Sequence, residues 1–260
     1  NQLKKGLVRA AFMTGPREIS ALRRAVEKLR EQDVGAALDE LGDIGILAHY
    51  RIWGKPGSRL GIPTLEDSFR RISKNPSVLS DLMEILEWGE SETTVEGQVP
   101  ELPFRSFLEL HAQYGSRDVQ AVLGQATLET AGQTGVGLLH FSSVRAYALL
   151  ITYQKTEREF SPSTMYADYP ISRELLHWES QSNTAQQSET GQNLIHHADR
   201  GYTILIFARD KKKTNGSAAP FVYLGPADRV TFESERPIKI VWRLRYPIPV
   251  EMYEKNRRGG

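Results

Sequence analysis

The chain of 260 residues contains no cysteine, which excludes disulfide bonds, thiolate zinc sites and a cysteine nucleophile. It also lacks any run of about 18 apolar residues, so we expect no membrane-spanning helix. The first residues, Asn-Gln-Leu-Lys-Lys-Gly, are followed by no apolar stretch of the signal-peptide kind. These absences lead us to expect a cytoplasmic protein.

Several catalytic signatures are missing as well. The phosphate-binding pattern Gly-x-x-x-x-Gly-Lys-Ser/Thr is absent, and the glycine-rich stretch at 132–137 has no lysine and precedes a predicted strand. There is no Gly-x-Ser-x-Gly elbow and no convincing Glu-x-Lys pair of the nuclease kind. Among six histidines only His196 and His197 are adjacent, and adjacent side chains point in different directions. We therefore expect a binding protein without catalytic residues, metal or cofactor.

Charge is nearly balanced over the whole chain, with 33 basic and 32 acidic residues, but it is unevenly distributed. Residues 101–195 carry 6 basic and 10 acidic side chains, whereas residues 196–260 carry 13 basic and 7 acidic ones. We therefore expect any anion-binding surface to draw on the last quarter of the chain.

Helical periodicity dominates the first 95 residues. Thr14 followed by Pro16, and Asn75 followed by Pro76, predict two capped helix starts. Apolar residues then recur at helical spacing, as in Ile19, Leu22, Val26, Leu29 and in Val78, Leu79, Leu82, Met83. The polar, aperiodic stretch that follows marks a boundary, so we predict a helical linking region over residues 1–95.

The apolar period changes to that of strands from residue 136 onward. Two short helices are predicted before this point, near Phe104–Leu108 and from Ser116 to Gly124. Apolar runs then predict five strands, at 136–141, 144–153, 203–207, 221–224 and 238–244. Asn215-Gly216 predicts a hairpin turn between the third and fourth strands. Helices followed by strands indicate the α+β class, with a second domain over residues 101–255 and a curled, barrel-type sheet.

A long polar segment rich in aromatic residues separates the second and third predicted strands. Connections of this length are usually functional or disordered, and the rings favour an ordered segment. Rings stack on bases and a carboxylate accepts a hydrogen bond from the cytosine amino group. Tyr166, Asp168 and Tyr169 are therefore candidates to line a slot for an extruded cytosine. The alternative is that Tyr169 and Trp178 are core rings and Asp168 caps a loop.

Cationic residues cluster after this segment. Lys211, Lys212 and Lys213 adjoin the predicted hairpin turn, and strand alternation places Arg243 and Arg245 on one face. Such residues either contact DNA phosphates, which provides affinity without sequence information, or form a solvated surface.

An ordered series of motifs within residues 101–255 resembles the C-terminal domain of helicase-containing, modification-dependent (type IV) restriction enzymes of the SauUSI type. The series is Ser161-Pro-x-Thr164-Met-Tyr166-x-Asp168-Tyr169, His177-Trp178-x-Ser180-Gln181-Ser182, Thr190-Gly191-Gln192, Phe207-Ala-Arg209, Phe221-x-Tyr223-Leu224-Gly225 and Ile240-x-Trp242-Arg243-Leu244. The first 100 residues are similar, more loosely, to the helical region that follows the motor domain in this family.

The resemblance implies a fold similar to SRA-like readers of modified bases. It implies recognition of 5-methylcytosine or 5-hydroxymethylcytosine in double-stranded DNA, and the candidate slot for an extruded cytosine predicts that this occurs by base flipping. It also implies a parent protein with a phospholipase-D-like nuclease and an ATP-dependent helicase as partner domains, whose motifs this sequence lacks.

The candidate residues then fall into three groups. The expected modified-base pocket comprises Tyr166, Asp168, Tyr169, Trp178, Ser161 and Thr164. Contacts to that base or its neighbours are expected from His177, Ser180, Gln181, Ser182, Thr190 and Gln192. Contacts to the DNA backbone are expected from Arg200, Arg209, Lys211, Lys212, Lys213, Arg243 and Arg245.

Other hypotheses stay open at this point. A helicase accessory domain that grips DNA by shape would show steep salt dependence and no response to methylation. A protein–protein module that couples a motor to a nuclease would show no DNA affinity at physiological salt. An enzymatic function would require an acidic cluster that the sequence does not reveal.

Overall fold

The computed structural model describes residues 2–10, 14–92, 97–133, 137–154, 168–214 and 217–257. The chain packs as two compact units, one formed by residues 1–99 and 106–134 and the other by residues 100–105 and 135–260. Residues 106–134, which the sequence analysis assigned to the second domain, thus pack with the helices. The predicted division into functional domains stays a prediction.

The first unit is helical. Its elements are α1 Gln2–Ala10, α2 Pro16–Arg30, α3 Val34–Leu41, α4 Gly45–Trp53, α5 Leu65–Ser73, α6 Pro76–Glu92, the short strand β1 Gln113–Tyr114, and α7 Ser116–Val122, with 3-10 turns at Gly42–Ile44 and Gly57–Arg59. Two helices begin at side-chain caps, since Asp33 accepts the N–H of Ala36 and Thr64 accepts that of Asp67. The apolar faces meet in a core that includes Leu22, Val26, Leu29, Phe69, Ile72, Leu82 and Leu86.

Two predictions about this unit are wrong. Thr14 does not cap α2, because its hydroxyl accepts the N–H of Gln113 at 2.8 Å. The start of α2 is instead capped from a distance by the Glu109 carboxylate, which accepts the N–H of Arg17 at 3.0 Å. Residues 104–108 form no helix. At α2 a contact between distant segments thus replaces the local signal.

A buried charge network holds residues 106–134 against the helices. Arg51 on α4 donates from Nε to Glu18 Oε1 at 2.9 Å and from Nη1 to Asp118 Oδ2 at 2.7 Å. It also donates to the carbonyl oxygen of Gln113 at 2.9 Å. The Arg51 and Glu18 side chains are each 5% exposed. The two carboxylates thus depend on one guanidinium for their neutralisation.

The second unit is built on strands. They are β2 Leu138–Phe141, β3 Ala146–Thr152, β4 Tyr169–Pro170, β5 Leu175–Glu179, β6 Thr203–Arg209, β7 Lys213–Thr214, β8 Ser217–Ala218, β9 Phe221–Glu233 and β10 Lys239–Leu244. Two short helices, α8 Glu189–Ile195 and α9 Val250–Asn256, and a 3-10 turn at Ser142–Val144 complete it. The predicted α+β class, with helices first and strands afterwards, is confirmed.

The main sheet of this unit follows the order β2-β3-β6-β9-β10-β5-β4. Only the β3–β6 pair in this order is parallel; the other neighbours are antiparallel. The path runs openly from β2 to β4 within the described residues. Every residue of β3 is buried, as expected for a parallel strand that is covered on both faces.

A large cluster of buried apolar side chains packs against the sheet of the second unit. It contains Leu149, Ile151, Leu176, Trp178, Leu194, Ile204, Ile206, Leu224, Ile240, Trp242 and Leu244. On β10, Trp242 and Leu244 are buried while Arg243 is exposed, which confirms the predicted alternation. Among the described helices of the whole chain, none is both long and apolar enough to cross a membrane.

We predict that Arg51→Met lowers the free energy of unfolding of the first unit by about 3–5 kcal/mol, because it leaves two buried carboxylates without a cation. Denaturant unfolding followed by circular dichroism measures the change. The matched control is Arg70→Ala, whose partner Glu66 is exposed, and which should cost less than about 1 kcal/mol. A loss at Arg51 no larger than the control's would contradict the prediction.

Candidate nucleic-acid interface

The carboxyl ends of β3 and β6 lie side by side because the two strands are parallel. Their pairing continues past the strands, where the N–H of Tyr153 donates to the Arg209 carbonyl at 3.0 Å and that of Gln154 to the Asp210 carbonyl at 2.8 Å. Burial raises the pKa of Tyr153, and the nearby charges of Asp168 and Asp210 raise it further. Asp168 therefore lies close to this end of the strands. Ligand sites in open sheets often occupy the carboxyl ends of parallel strands.

Asp168 is held rigidly in this position. Its side chain is buried, and Oδ1 accepts the N–H of Glu179 at 3.0 Å. The contact follows from the antiparallel pairing of β4 with β5, in which Tyr169 lies opposite His177. The carboxylate thus closes the start of the β4–β5 ladder, at the residue that precedes Tyr169. The loop-cap role that the sequence analysis weighed and a base-reading role are compatible in this geometry.

Tyr169 and His177 form a stacked pair on the partly exposed face of the sheet. Their ring centroids are 4.7 Å apart and their planes differ by 16°. Both residues are half-buried. Val241 lies opposite His177 across β10, and Arg243, two residues further, is exposed on the same face. Flat rings and a guanidinium therefore share one surface.

Trp178 and Ser180 occupy the opposite, buried side of β5. Trp178 is 5% exposed and lies 6.4 Å from the Trp242 ring, centroid to centroid. Ser180 is fully buried, and its hydroxyl oxygen accepts the N–H of Ile238 at 2.8 Å. For Trp178 the structure favours the core role that the sequence analysis left open. The hydrogen bond of Ser180 fixes the end of β5 against the segment before β10.

The other predicted base contacts lie on a loop and on α8. Ser182 is exposed, and its carbonyl oxygen accepts from Arg236 Nε at 2.7 Å. Gln181 is half-buried in the same turn, where its carbonyl oxygen accepts the N–H of Thr184. Gln192 donates from Nε2 to the Gln186 carbonyl at 2.9 Å. These contacts give the residues structural partners and place none of them against Asp168.

The Thr190-Gly191-Gln192 motif has a packing explanation. Ser188 caps α8 by accepting the N–H of Gly191. A Cβ atom at Gly191 would lie 2.1 Å from the carbonyl oxygen of Ala185, so the close approach of this loop requires glycine. The Thr190 side chain lies near the phenol of Tyr147.

The residues predicted to contact the DNA backbone differ in whether their side chains already bind partners within the protein. Arg209 donates to Thr152 Oγ1 at 3.0 Å and to the Ala219 carbonyl at 2.7 Å, and it lies 4.1 Å over the Phe221 ring. Arg245 pairs with Asp228 at 2.9 Å, and this hydrogen bond lowers the pKa of the Asp228 carboxyl. Both arginines are thus committed to partners inside the protein.

The remaining cations are more accessible. Lys211, Lys213 and Arg243 are exposed, and Lys212 is half-buried. Lys213–Thr214 pairs with Ser217–Ala218, so the lysines lead into a two-stranded hairpin. The predicted turn at 215–216 and the pocket candidates Ser161, Thr164 and Tyr166 lie outside the described residues.

Two further residues at this end of the strands were not predicted from the sequence. Tyr153 and Asp210 follow directly after apolar strands, a position that could have indicated them. Asn256 of α9 donates to Asp210 Oδ1 at 2.7 Å, and Lys255 forms an ion pair with the same carboxylate. No group of three or more His, Asp or Glu side chains among the described residues could hold a metal ion.

A buried histidine links α8 to β9. His197 Nε2 accepts the N–H of Arg229 at 3.1 Å, so the proton lies on Nδ1, 3.2 Å from the Tyr202 carbonyl oxygen. Burial lowers the pKa of His197 below 6.5. Protonation would place a second N–H against that of Arg229.

We predict that His197 makes the protein less stable as the pH falls below about 6.5, because the unfolded state then binds a proton that the folded state resists. The free energy of unfolding should fall by at most about 1.4 kcal/mol per pH unit, until the folded-state pKa is reached. Thermal unfolding between about pH 7.5 and pH 5.5 measures it. His197→Asn should reduce this pH dependence and the exposed neighbour variant His196→Gln should not; equal profiles for both variants would contradict the prediction.

Comparison with known proteins identifies the family of most of the second unit and of the segment before it. Among solved structures, the chain is similar to a crystal structure of Arabidopsis thaliana SUVH6 in complex with SAM. The match includes 96% of this chain and 42% of the SUVH6 chain, with 11% sequence identity and a TM-score of 0.33. No curated protein matches the chain. Residues 108–255, more than half of the chain, match the family described as Domain of unknown function (DUF3427). The chain therefore belongs to the DUF3427 family.

Proposed function

We propose that this chain is a DNA-binding target-recognition module that reads 5-methylcytosine or 5-hydroxymethylcytosine in a short double-stranded context. The observation that carries the proposal is the buried Asp168 carboxylate, which accepts the N–H of Glu179 and directly precedes Tyr169 of the half-buried Tyr169–His177 stack. In this proposal the chain performs no catalysis itself. It serves an ATP-dependent restriction endonuclease that supplies the helicase and nuclease domains, as the motif resemblance implies.

The chemistry of Asp168 suits cytosine. The amino group of cytosine donates hydrogen bonds, whereas thymine presents a carbonyl acceptor at the same position. A carboxylate therefore accepts from cytosine and repels thymine. Because Asp168 is buried, little water competes for this hydrogen bond, and the discrimination is stronger than it would be at the surface.

The ring of Tyr169 supplies a stacking surface for the extruded base. One neighbour of that ring is already His177, so a base would stack at the edge of the pair or on the other face of Tyr169. Tyr166, three residues earlier, is our candidate for the second ring. Extruding a base from a duplex costs a few kcal/mol, which stacking and the hydrogen bond to Asp168 must offset.

The methyl group itself contributes modestly to the affinity for DNA. Burial of one methyl group stabilises a complex by about 0.8 kcal/mol, which corresponds to about fourfold in affinity. The exposed Lys211, Lys213 and Arg243 would contact phosphates, which strengthens binding to every sequence alike. The proposal therefore separates a base-dependent contribution near Asp168 from a sequence-independent contribution of the cations.

We predict that the wild-type chain binds a methylated duplex about fourfold or more tightly than the matched unmethylated duplex. In Asp168→Asn, the side-chain oxygen stays with the Glu179 N–H and the amide NH₂ meets the cytosine amino group. This variant should therefore lose about tenfold or more of its affinity for both duplexes, because both carry the cytosine amino group, and it should keep the preference for methylated DNA. Fluorescence anisotropy titration with both duplexes measures these changes.

The matched control is Glu174→Gln, which neutralises an exposed carboxylate of the same unit and should change neither affinity. Equal affinity of the wild type for the two duplexes would favour a shape-reading accessory domain over a methylation reader. Absence of binding to either duplex at physiological salt would favour a protein–protein coupling module.

We predict a different effect for the lysines. Replacing Lys211, Lys212 and Lys213 together by alanine should weaken binding to both duplexes equally and reduce the slope of log K against log salt by up to about 3. Lys74→Ala, an exposed lysine of the helical unit, is the control. A loss confined to methylated DNA would contradict the assignment of these residues to phosphate contacts.

A further inference from the structure

A second group of cations lies at the amino ends of the parallel strands, opposite to Asp168. Arg145 directly precedes β3 and Tyr202 directly precedes β6, and the register pairs the next residues, Ala146 and Thr203. The N–H of Thr203 donates to the Arg145 carbonyl at 2.9 Å. The two residues are therefore neighbours because of the parallel pairing, although 57 positions separate them in sequence.

Arg145 is held in a defined position. Its backbone adopts the left-handed conformation, with φ of 48° and ψ of 54°, which non-glycine residues seldom adopt. The guanidinium lies 4.8 Å from the centroid of the Tyr202 ring and donates to the Arg200 carbonyl oxygen. Stacking and the hydrogen bond orient the guanidinium before any ligand arrives.

Arg200 is oriented by the same cluster. Its Nη1 donates to Asn193 Oδ1 at 2.9 Å, and the Asn193 amide donates to the phenol oxygen of Tyr147 at 3.1 Å. The Tyr147 ring stacks on His140 at 4.4 Å with an interplanar angle of 8°. A chain of hydrogen bonds and stacked rings thus supports the exposed Arg200 from below.

The partners of these two arginines are all neutral. A ring and two oxygen atoms, one of a carbonyl and one of an amide, hold them, and within the described residues neither guanidinium lies within ion-pair distance of a carboxylate. By contrast, Arg245 and Lys255 of the same unit pair with Asp228 and Asp210. Two exposed guanidinium groups that are held in place by neutral partners are suited to bind an anionic ligand.

We propose that Arg145 and Arg200, supported by Tyr202, form a clamp for the phosphate backbone of nucleic acid, remote from the base-reading residues. The proposal rests on the proposed function and adds to it the length of duplex that the protein contacts. Phosphodiester is the ligand class because bidentate guanidinium groups match phosphate oxygens, and because both side chains lie on an open surface.

The geometry gives the distance between clamp and base site. Seven paired residues, from Ala146 to Thr152, separate the two ends of β3. At about 3.3 Å per residue the ends are roughly 20 Å apart, which corresponds to about 6 base pairs of duplex at 3.4 Å each. A duplex whose axis runs along β3 must therefore extend at least about 6 base pairs to one side of the target cytosine to reach the clamp, and the proposal adopts this orientation.

The test combines protein variants with shortened DNA. The probes are a methylated duplex with about 12 base pairs on each side of the target, and two duplexes cut to about 3 base pairs on one side or the other. On the long duplex, Arg145→Ala with Arg200→Ala should bind about tenfold more weakly than wild type, with a salt slope reduced by about 2. On one of the two shortened duplexes, wild type and double variant should bind equally.

Three controls keep the outcome clear. Arg257→Ala removes an exposed arginine that already pairs with Glu254, and it should change nothing. Arg145→Lys with Arg200→Lys keeps the charges, so it should retain the salt slope while losing part of the affinity. Thermal unfolding of each variant shows whether it is folded. If the double alanine variant is unfolded, the affinity and salt slope of the double lysine variant are used to test the proposal.

The outcomes separate the two proposals. Wild-type affinity and salt slope in the double variant would overturn the clamp, while the preference for methylated DNA would still support the proposed function. An equal loss on the long and both shortened duplexes would also overturn the clamp. A wild-type chain that binds no duplex would overturn both proposals.

Discussion

The parallel pairing of β3 with β6 is the constraint on which the chemistry of the second unit depends. The two strands are mostly apolar and buried, and most of the candidate functional residues lie beyond their ends. Their register nevertheless determines which residues meet beyond each end. Tyr153, Asp168 and Asp210 gather at the carboxyl ends, and Arg145 and Tyr202 at the amino ends. A shift of one residue in this pairing would separate both groups, since each depends on strands that start and end together.

The sequence predicted the parts of the fold that local patterns determine. Apolar runs indicated β2, β3, β6, β9 and β10, because buried strands are apolar whatever they pair with. The short strands β4 and β5 and the helix α8 were missed, since they lie in a segment whose polar residues resemble a loop. The Asp168–Glu179 contact exists only after β4 and β5 have paired. The alternation of Trp178 and His177 was visible in sequence, but which of the two faces the core depends on the neighbouring strand β10.

The same limit applies to the candidate site. Asp168 and Tyr169 were proposed from the chemistry of their side chains, and the structure describes Tyr169 on β4 and Asp168 directly before it. Arg145 and Tyr202 were not identified, because their proximity results from a pairing between distant strands. Local signals for capping also failed at Thr14, where a carboxylate 92 positions from Arg17 supplies the cap. The type of a residue indicates what its side chain could bind, but tertiary contacts determine which side chains lie together in one site.

The buried ion pairs of Arg51 show that the family region, residues 108–255, depends on residues that precede it. The family region starts at residue 108, and Asp118, which lies within it, takes its cation from Arg51, which lies outside it. A protein fragment cut at the start of that region would retain the carboxylate and lose the guanidinium that neutralises it. The limits of a family in sequence and the limits of an independently stable piece of polypeptide therefore differ here, and a soluble fragment would have to include the helices that precede the matched segment.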